Sequence, residues 1–489
     1  MLRSLGGLLL LAVLVWVAVI AYWHFNDIRP GVRELALYLG VLPVGAYLTL
    51  KLLRMGLRNA SARAAAAGAP KDLESVGEEG ATPEALPARP LPPIGVLASA
   101  LHLPGGASAD EVVQAAVEAR QAGLHKTFKD SAGFPVFIAE TEGLDDEGAA
   151  QWLRTAGLED AAVEQLAPEQ RRAVALLQPV LQTLLGAVAE RDLLAPIAAV
   201  PGGTRRQAER LPTLELTVLL SAQWAPDTRA SLAAALLREA EAMGLPTAQT
   251  RVSIDTAQGG AETWEHLRQL AARAPLAADT EDAQRVPVYH MLLASHSLVG
   301  EASVERIGDA GRLLSAQRPE GIVPGEGAAG ALLQPVGELS PDNPAAVQLA
   351  GIATDGRGVS WQARAALRQS TELVTRSLQG AAIEKDQIRR VVSDMDLRGS
   401  RRAAVGGVMG CELTHLEPDA DCLGIGVTNG HLGPAAPLVL LALAAELAQR
   451  EDAPILALAV AETDERAAFI ATPIPHPPVE AADPAAEAA

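Results

Sequence analysis

The chain has 489 residues, enough for more than one domain or for one large α/β unit with appendages. Its formal net charge of -19 leaves no basic surplus to neutralise phosphates, so nucleic acid is excluded as a general partner. Aromatic residues make up only 3% of the chain, and we therefore expect a core of small aliphatic side chains.

Two apolar segments near the N-terminus predict a membrane hairpin in residues 1–58, with spans at about 5–23 and 35–53. About 20 apolar residues in a helix cross the hydrocarbon core of a bilayer. No small-residue cleavage site follows the first segment, which argues against a signal peptide. The alternative for the second segment is a helix lying on the membrane, which would place the bulk of the chain on the opposite face.

The basic residues around this hairpin predict its orientation, because cytoplasmic loops are enriched in Lys and Arg. Five basic residues lie at the end of the second span or after it, and the connecting loop has two. They are Lys51 at the end of the span, Arg54, Arg58, Arg63 and Lys71 after it, and Arg29 and Arg33 in the loop. The chain is therefore predicted to be a multi-pass protein of the lipid bilayer, most simply a bacterial inner membrane, with its soluble part in the cytoplasm.

The remaining chain divides by composition. Residues 59–93 are rich in Ala, Gly, Pro and Glu and are predicted to form a flexible linker, and residues 474–489 are predicted to be a disordered tail. Between them, residues 94–473 alternate strand and helix patterns in two halves, about 94–340 and 341–473. This alternation predicts an α/β protein with a layered architecture.

Individual elements follow from hydrophobic periodicity. The predicted strands are 94–100, 134–139, 214–221, 286–295, 328–336, 347–354, 455–460 and 467–472, with another ending at Asp394 or Asp396. The predicted helices include 161–194, 227–243, 261–272, 360–378 and 434–450. The leucine and valine stripe between 176 and 185 is predicted to be core.

The segment 318–333 reads RPEGIVPGEGAAGALL, a Pro/Gly loop that leads into a small-residue strand. Glu326 stands between Gly325 and Gly327, and a glycine permits a close backbone approach. The segment resembles the G-x-V-x-G-E-G-A loop of the β-ketoacyl synthases, members of the thiolase-like superfamily. Residues 428–436, TNGHLGPAA, are similar to the ketosynthase segment N-I-G-H-x-x-A-A-G, and they follow in the order that the family shows.

The resemblance implies a thiolase-like layered fold of two related βα halves. It also implies a Cys nucleophile at the start of a buried helix and two His that stabilise an oxyanion. The helix expected to hold the nucleophile opens near 259–263, where Thr263 is the only hydroxyl and no cysteine occurs. Ser253, on the preceding strand, has no base nearby that the sequence identifies.

Only His431 matches a catalytic position of the family. The first family histidine is missing from 393–400, which instead contains Asp394 and Asp396, expected in a solvated loop. The family's Lys is replaced by Gly426, and its glycine-rich hairpin by the charged turn 461–466. We interpret His431 as a packing residue, and we predict Glu326, Asn429 and His431 as binding residues, with Glu326 accepting backbone N–H groups of its own loop.

Cofactors and metals are not expected. The two cysteines, Cys411 and Cys422, with His415 between them, are predicted to lie in a loop-like stretch, and they lack the further ligands that zinc requires. Free thiols suit a reducing compartment.

Three functions remain open from the sequence. The first is a membrane-anchored, non-catalytic pseudoenzyme that binds a protein client as an adapter. The second is an enzyme that transfers or binds acyl groups, with an acyl thioester as substrate, in lipid metabolism at the membrane. The third is an accessory subunit of an envelope or secretion complex. The resemblance also implies a homodimer that pairs through a core strand.

Overall fold

The computed structural model describes residues 91–195, 211–273, 286–339, 343–356, 363–462 and 465–474. The predicted membrane hairpin of residues 1–58 lies outside these ranges, as do nearly all of the predicted linker and tail. Within them, one helix, Pro168–Glu190, is long and apolar enough to cross a bilayer, and 56% of its apolar window is buried. This helix packs on the central sheet, so the leucine and valine stripe is core, as predicted.

Twelve strands are formed by the described residues, and ten of them build one sheet. The strands are β1 Ile94–His102, β2 Gly123–Lys129, β3 Pro135–Ile138, β4 Thr213–Ser221, β5 Thr250–Ala257, β6 Val288–Ser297, β7 Glu326–Pro335, β8 Val347–Asp355, β9 Arg390–Ser393, β10 Cys422–Gly424, β11 Ile455–Ala459 and β12 Arg466–Pro473. The order in the large sheet is β10-β9-β11-β12-β8-β1-β7-β6-β4-β5, and β2 pairs with β3 separately.

Helices cover this sheet and connect its strands. They are α1 Ala109–Val117, α2 Asp146–Thr155, α3 Asp160–Glu164, α4 Pro168–Glu190, α5 Pro226–Ala242, α6 Gly260–Arg273, α7 Glu301–Asp309, α8 Ala363–Ala381, α9 Gly399–Glu412, α10 Gly426–Asn429 and α11 Ala436–Glu451. The single helix predicted for 161–194 is two helices, because Pro168 starts α4 at its first turn.

The sheet consists of two copies of one five-strand topology. In the first half, β1, β4, β5, β6 and β7 are arranged so that β7 runs antiparallel to β1 and β6, while β6, β4 and β5 are parallel. In the second half, β8 to β12 repeat the same arrangement, with β12 antiparallel to β8 and β11, and with β11, β9 and β10 parallel. Strands β1 and β8 join the halves, pairing antiparallel at Ile94↔Leu349.

Small residues allow the layers to pack closely. All ten residues of β7 are buried, and a Cβ on its Gly330 would lie 2.8 Å from Leu184 Cδ1 of α4. Helix α11, on the other side, is buried along most of its length by Ala and Leu side chains. Each fully buried leucine contributes about 2 kcal/mol of transfer free energy, so this aromatic-poor core is stabilised by many aliphatic contacts.

Two details differ from the expectations. The cysteines do not lie in a loop, because Cys411 is in the last turn of α9 and Cys422 opens β10, so this expectation is wrong. Strand β7 also starts at Glu326, two residues earlier than predicted, because Glu326 and Gly327 pair with Ser297 and His296 of β6.

Candidate functional site

The two motif segments identified in the sequence contact each other through their backbones. The N–H of His431 donates to the carbonyl oxygen of Val323 at 2.9 Å. The same loop binds a third segment, since the N–H of Leu298 donates to the carbonyl of Gly325, also at 2.9 Å. Residues 323–325 therefore connect the end of β6 with the segment that precedes α11.

This contact requires glycine at two positions. A Cβ at Gly325 would overlap the carbonyl oxygen of Asn429 and lie 2.9 Å from the nitrogen of His431. Gly430 has a φ of 63°, in the region that side chains other than glycine rarely adopt. The glycines in both motifs thus have a structural reason, which is the close approach of two backbones.

Asn429 is a structural link between the halves of the chain. Its Oδ1 accepts the N–H of Gly105 at 2.8 Å, and its Nδ2 donates to the carbonyl of Ile425 at 2.9 Å. The residue has no exposed surface. Both ends of the amide are therefore used inside the protein, and this predicted binding residue faces no ligand space.

Glu326 is also fully buried, and its carboxylate is the centre of a polar network. Arg172 donates to both oxygens, at 2.8 Å and 2.6 Å, Ser297 donates its hydroxyl at 2.8 Å, and Thr141 donates its N–H at 2.7 Å. Burial lowers the pKa of Arg172, but the hydrogen bonds and charge of Glu326 outweigh burial and leave that pKa raised. Glu326 does accept a backbone N–H, but from Thr141, 185 residues away, instead of its own loop.

The side chain of His431 is 13% exposed. Its Nε2 is 3.7 Å from Oε1 of Glu462, beyond hydrogen-bond distance. Burial lowers the pKa of His431 to about 4, and the positive charge of Arg398 acts in the same direction. The imidazole is therefore neutral near pH 7, with one nitrogen that donates and one that accepts.

A second histidine, His296, stands next to His431. The two rings are 6.4 Å apart between centroids and nearly perpendicular. Burial lowers the pKa of His296 to about 3, and its Nδ1 atom is buried without a hydrogen-bond partner in the described part of the chain. His296 was not among the residues predicted from the sequence. The feature that could have identified it is the polar triplet Ser-His-Ser at the end of the apolar strand β6.

The start of α6 contains no group that could act as a nucleophile. The hydroxyl of Thr263 is fully buried and donates to the carbonyl of Pro434 at 2.8 Å. The N–H groups of Gln258 and Gly259 donate to the carboxylate of Glu262, at 3.0 Å and 3.3 Å. A carboxylate of this chain thus binds the two N–H groups directly before α6, beside the helix N-terminus where an anion would bind.

Asp394 and Asp396 are buried, so the prediction that they occupy a solvated loop is wrong. Asp394 Oδ1 accepts the N–H groups of Val460 and Ala461, at 2.6 Å and 3.0 Å, and burial nevertheless raises the pKa of Asp394 to about 7. Asp396 pairs with Arg398 at 2.6 Å. These hydrogen bonds and this ion pair offset part of the free-energy cost of removing the two carboxyl groups from water, which is high for a carboxylate without partners.

Comparison with known proteins gives no match to a protein-family model and none to a curated protein. Solved structures do match. The ketosynthase from module 1 of the bacillaene synthase from Bacillus amyloliquefaciens FZB42 aligns with a TM-score of 0.52 and 12% identity, covering 80% of this chain and 74% of that one. The ketosynthase from module 6 of the bacillaene synthase from Bacillus subtilis 168 aligns with a TM-score of 0.52 and 13% identity, covering 79% and 72%.

The protein has a thiolase-like fold of the β-ketoacyl synthase type. In the resemblance to ketosynthases, the nucleophilic thiol belongs at the start of α6, whereas the cysteines of this chain are in α9 and β10. In this chain His431 lies before α11, and Glu462 lies in the turn between β11 and β12.

The structure therefore brings the backbones of the predicted residues together but separates their side chains. Glu326 and Asn429 face internal partners, and only His431 retains exposed surface. Ser253 lies elsewhere, at 3.1 Å from the hydroxyl of Thr217 on the exposed face of the sheet. A cavity of about 460 Å³ is lined in part by Arg398, whose charge influences the pKa of His431.

Proposed function

We propose that the protein is a ketosynthase-like pseudoenzyme that binds a client and does not condense thioesters. The observation that carries this proposal is the start of α6, where no thiol is present and the carboxylate of Glu262 binds the N–H groups of the two residues directly before the helix. Cysteine is the group that such a fold would use as nucleophile, because a thiolate forms readily at a helix N-terminus.

The surroundings of His431 support the same proposal. Decarboxylation of a malonyl thioester places negative charge on the thioester oxygen, and neutral donors must stabilise this charge. His431 can supply one N–H, but the carboxylate of Glu462 is 3.7 Å from its ring. A carboxylate this close to the ring opposes the formation of an oxyanion beside it, because like charges repel.

The direct test is a decarboxylation and condensation assay on the purified full-length protein in mild detergent, with malonyl and acyl thioesters. We expect no carbon dioxide release and no condensed product above the rate without protein. The variant His431→Ala is expected to behave identically, as is the control variant His266→Ala, which removes a half-buried histidine of α6 that pairs with Asp255.

Two outcomes would change this conclusion. Decarboxylation that disappears in His431→Ala and persists in His266→Ala would contradict the proposal. An acyl ester found by intact-mass spectrometry after incubation with an acyl thioester would support an acyl-transfer enzyme instead.

We also propose that the two apolar segments in residues 1–58 anchor this module to the membrane, with the soluble part in the cytoplasm. The proposal rests on their length, hydropathy and flanking basic residues. The full chain is expected to resist extraction from membranes at alkaline pH, and a chain that starts at residue 59 is expected to be released. A stoichiometric membrane protein that copurifies from detergent extracts would identify the client and distinguish the adapter from a free-standing enzyme.

A homodimer through β5 is a further part of the proposal. β5 is the outermost strand of the first half and pairs only with β4 among the described strands. An eight-residue strand with one open edge can pair with a second copy of itself. Light scattering is expected to give twice the chain mass of 50.8 kDa after correction for detergent, and a monomer mass would exclude this interface.

A further inference from the structure

The outermost strand of the first half, β5, has a long free edge. It contains eight residues, Thr250–Ala257, and it pairs only with β4 among the described strands. The outermost strand of the second half, β10, has three residues and offers much less backbone to a partner. Proteins often protect a long edge with proline, lysine or a bulge, but β5 contains no proline or lysine and pairs with β4 in one continuous register. The edge of β5 is therefore suited to pairing with a further strand.

The sequence of β5 is symmetric about Ser253 in the class of its residues. Residues 250–256 read Thr-Arg-Val-Ser-Ile-Asp-Thr, with Ser253 at the centre. The residues at equal distances on the two sides of Ser253 are Val252 and Ile254, Arg251 and Asp255, and Thr250 and Thr256. The two sides thus match in polarity and are opposite in charge.

Two copies of such a strand are complementary when they pair antiparallel with Ser253 opposite Ser253. Residues directly opposite each other in an antiparallel pair lie on the same face of the sheet, with Cβ atoms about 4.5–5.5 Å apart. In this register Arg251 of each copy stands opposite Asp255 of the other, and Val252 stands opposite Ile254. A register centred on Arg251 or on Asp255 would place two like charges opposite each other, which is destabilising. The charges therefore favour one register over its alternatives.

The charged side chains of β5 are accessible to a second copy. Arg251 is exposed and makes no ion pair within the described part of the chain. Asp255 lies 3.2 Å from Nε2 of His266, yet its side chain remains 49% exposed. A carboxylate has two oxygens that accept hydrogen bonds, so Asp255 can bind a second cation as well. On the other face of β5, Val252 and Ile254 are half-buried against the core and leave an apolar margin at the edge.

We propose that two copies of the chain pair antiparallel through β5, with the two-fold axis at Ser253 and ion pairs between Arg251 of each copy and Asp255 of the other. The inference rests on the homodimer of the proposed function, and it adds the register and the residues that specify it. A strand of unrelated sequence would meet Arg251 and Asp255 without their counter-charges, so the edge discriminates in favour of its own copy.

The second copy would also complete a cleft on this face of the sheet. The cleft has a volume of about 370 Å³ and is lined in part by Ser253, Asp255 and His266. Pairing brings Arg251 of the second copy to its rim, so that Asp255 lies between two cationic partners, one from each chain. Exposed ion pairs contribute little to affinity, so we expect these two pairs to specify the register while backbone hydrogen bonds and apolar contacts supply most of the affinity.

Charge-swap variants of the full-length protein in mild detergent test the ion pairs, with the dimer dissociation constant measured by analytical ultracentrifugation over a dilution series. Arg251→Asp and Asp255→Arg each create two like-charged pairs across the interface and are each expected to weaken the dimer by about tenfold. The double variant Arg251→Asp/Asp255→Arg restores opposite charges and is expected to bind within about threefold of the wild type. The control is Arg368→Asp, which makes the same charge change on a side chain that is 84% exposed on α8 and is expected to leave the dimer unchanged.

Disulfide cross-linking tests the position of the axis. Ser253→Cys, in a Cys411→Ser background, is expected to give a covalent dimer on oxidation, because residue 253 faces its own copy at close to the Cβ separation of a disulfide. The matched control is Thr217→Cys, one strand further in on β4 with its hydroxyl 3.1 Å from that of Ser253, and it is expected to stay unlinked.

The outcomes separate this inference from the homodimer itself. A wild-type dimer that Ser253→Cys does not cross-link, or whose affinity the double variant does not restore, would overturn the register and leave the homodimer standing. Equal weakening by Arg368→Asp would assign the effect to net charge and would overturn the ion pairs. A wild-type chain that stays monomeric at all concentrations would overturn both the homodimer and this inference.

Discussion

Replacement of Glu326 by glutamine tests whether the buried network at the start of β7 stabilises the fold. Glutamine has nearly the same shape, so the packing of this fully buried position is kept. It removes the negative charge that Arg172 binds with two hydrogen bonds, and it turns one acceptor into an NH₂ donor that faces other donors.

The magnitude follows from what remains around Arg172. Loss of one partner of a buried ion pair costs about 3–5 kcal/mol, because an uncompensated charge is left inside the protein. The side chain of Arg172 is 14% exposed and keeps Glu140 at 3.3 Å, so we expect a loss of unfolding free energy at the lower limit, about 3 kcal/mol.

Urea denaturation of the full-length protein, followed by tryptophan fluorescence, measures this loss. Glu305→Gln, on the exposed face of α7, is the matched control and is expected to change stability by less than about 0.5 kcal/mol. The variant Arg172→Met and the double variant complete a cycle that isolates the coupling between the two charges. A loss below about 1 kcal/mol for Glu326→Gln, at an unchanged denaturant slope, would refute the reasoning.

Three further outcomes follow from the site. Asn429→Ala leaves the N–H of Gly105 unpaired, and we expect it to lower the unfolding free energy by about 2 kcal/mol in urea; an unchanged midpoint would contradict its linking role. The pKa of Asp394, about 7 in the folded state, lies above its usual value, so the folded state binds its proton more tightly and stability falls as pH rises from about 4 to 7. Asp394→Asn is expected to flatten this dependence in thermal denaturation series, and an identical slope would argue against it. Burial raises the pKa of Cys422 to about 12, so a thiol reagent at pH 8 is expected to label exposed Cys411 quickly and Cys422 only on unfolding; equal rates would contradict this.

The strands that the sequence predicted best are those buried on both faces. β11 and the segment 328–333 of β7 are continuous apolar runs, and such runs have few alternatives to a central strand. β2 was missed because its residues, GLHKTFK, are polar and largely exposed, and only its partner β3 gives it a reason to be extended. Local pattern thus predicts elements whose burial is uniform and fails for those stabilised by a single neighbour.

The site shows a similar division. The glycines beside Glu326 indicated that the backbone could approach another segment closely, and Gly325 makes such an approach to Asn429 and His431. The partners of Glu326 could not be predicted, since Arg172 is 154 residues away and its helix has ordinary helical spacing. The carboxylates after β9 were expected in solvent because buried aspartates are rare, and the sequence did not indicate that the backbone of Val460 would reach Asp394.

The position of β12 has a consequence for how the protein is made. β12 follows all other described strands in the sequence, yet it lies between β8 and β11 in the middle of the second half. While the ribosome is still synthesising residues 466–473, the strands on either side present open hydrogen-bonding edges, which are templates for aggregation. The sheet of the second half is therefore completed only after β12 has been synthesised. A chain that stops before β12 is expected to be prone to aggregation and sensitive to proteases.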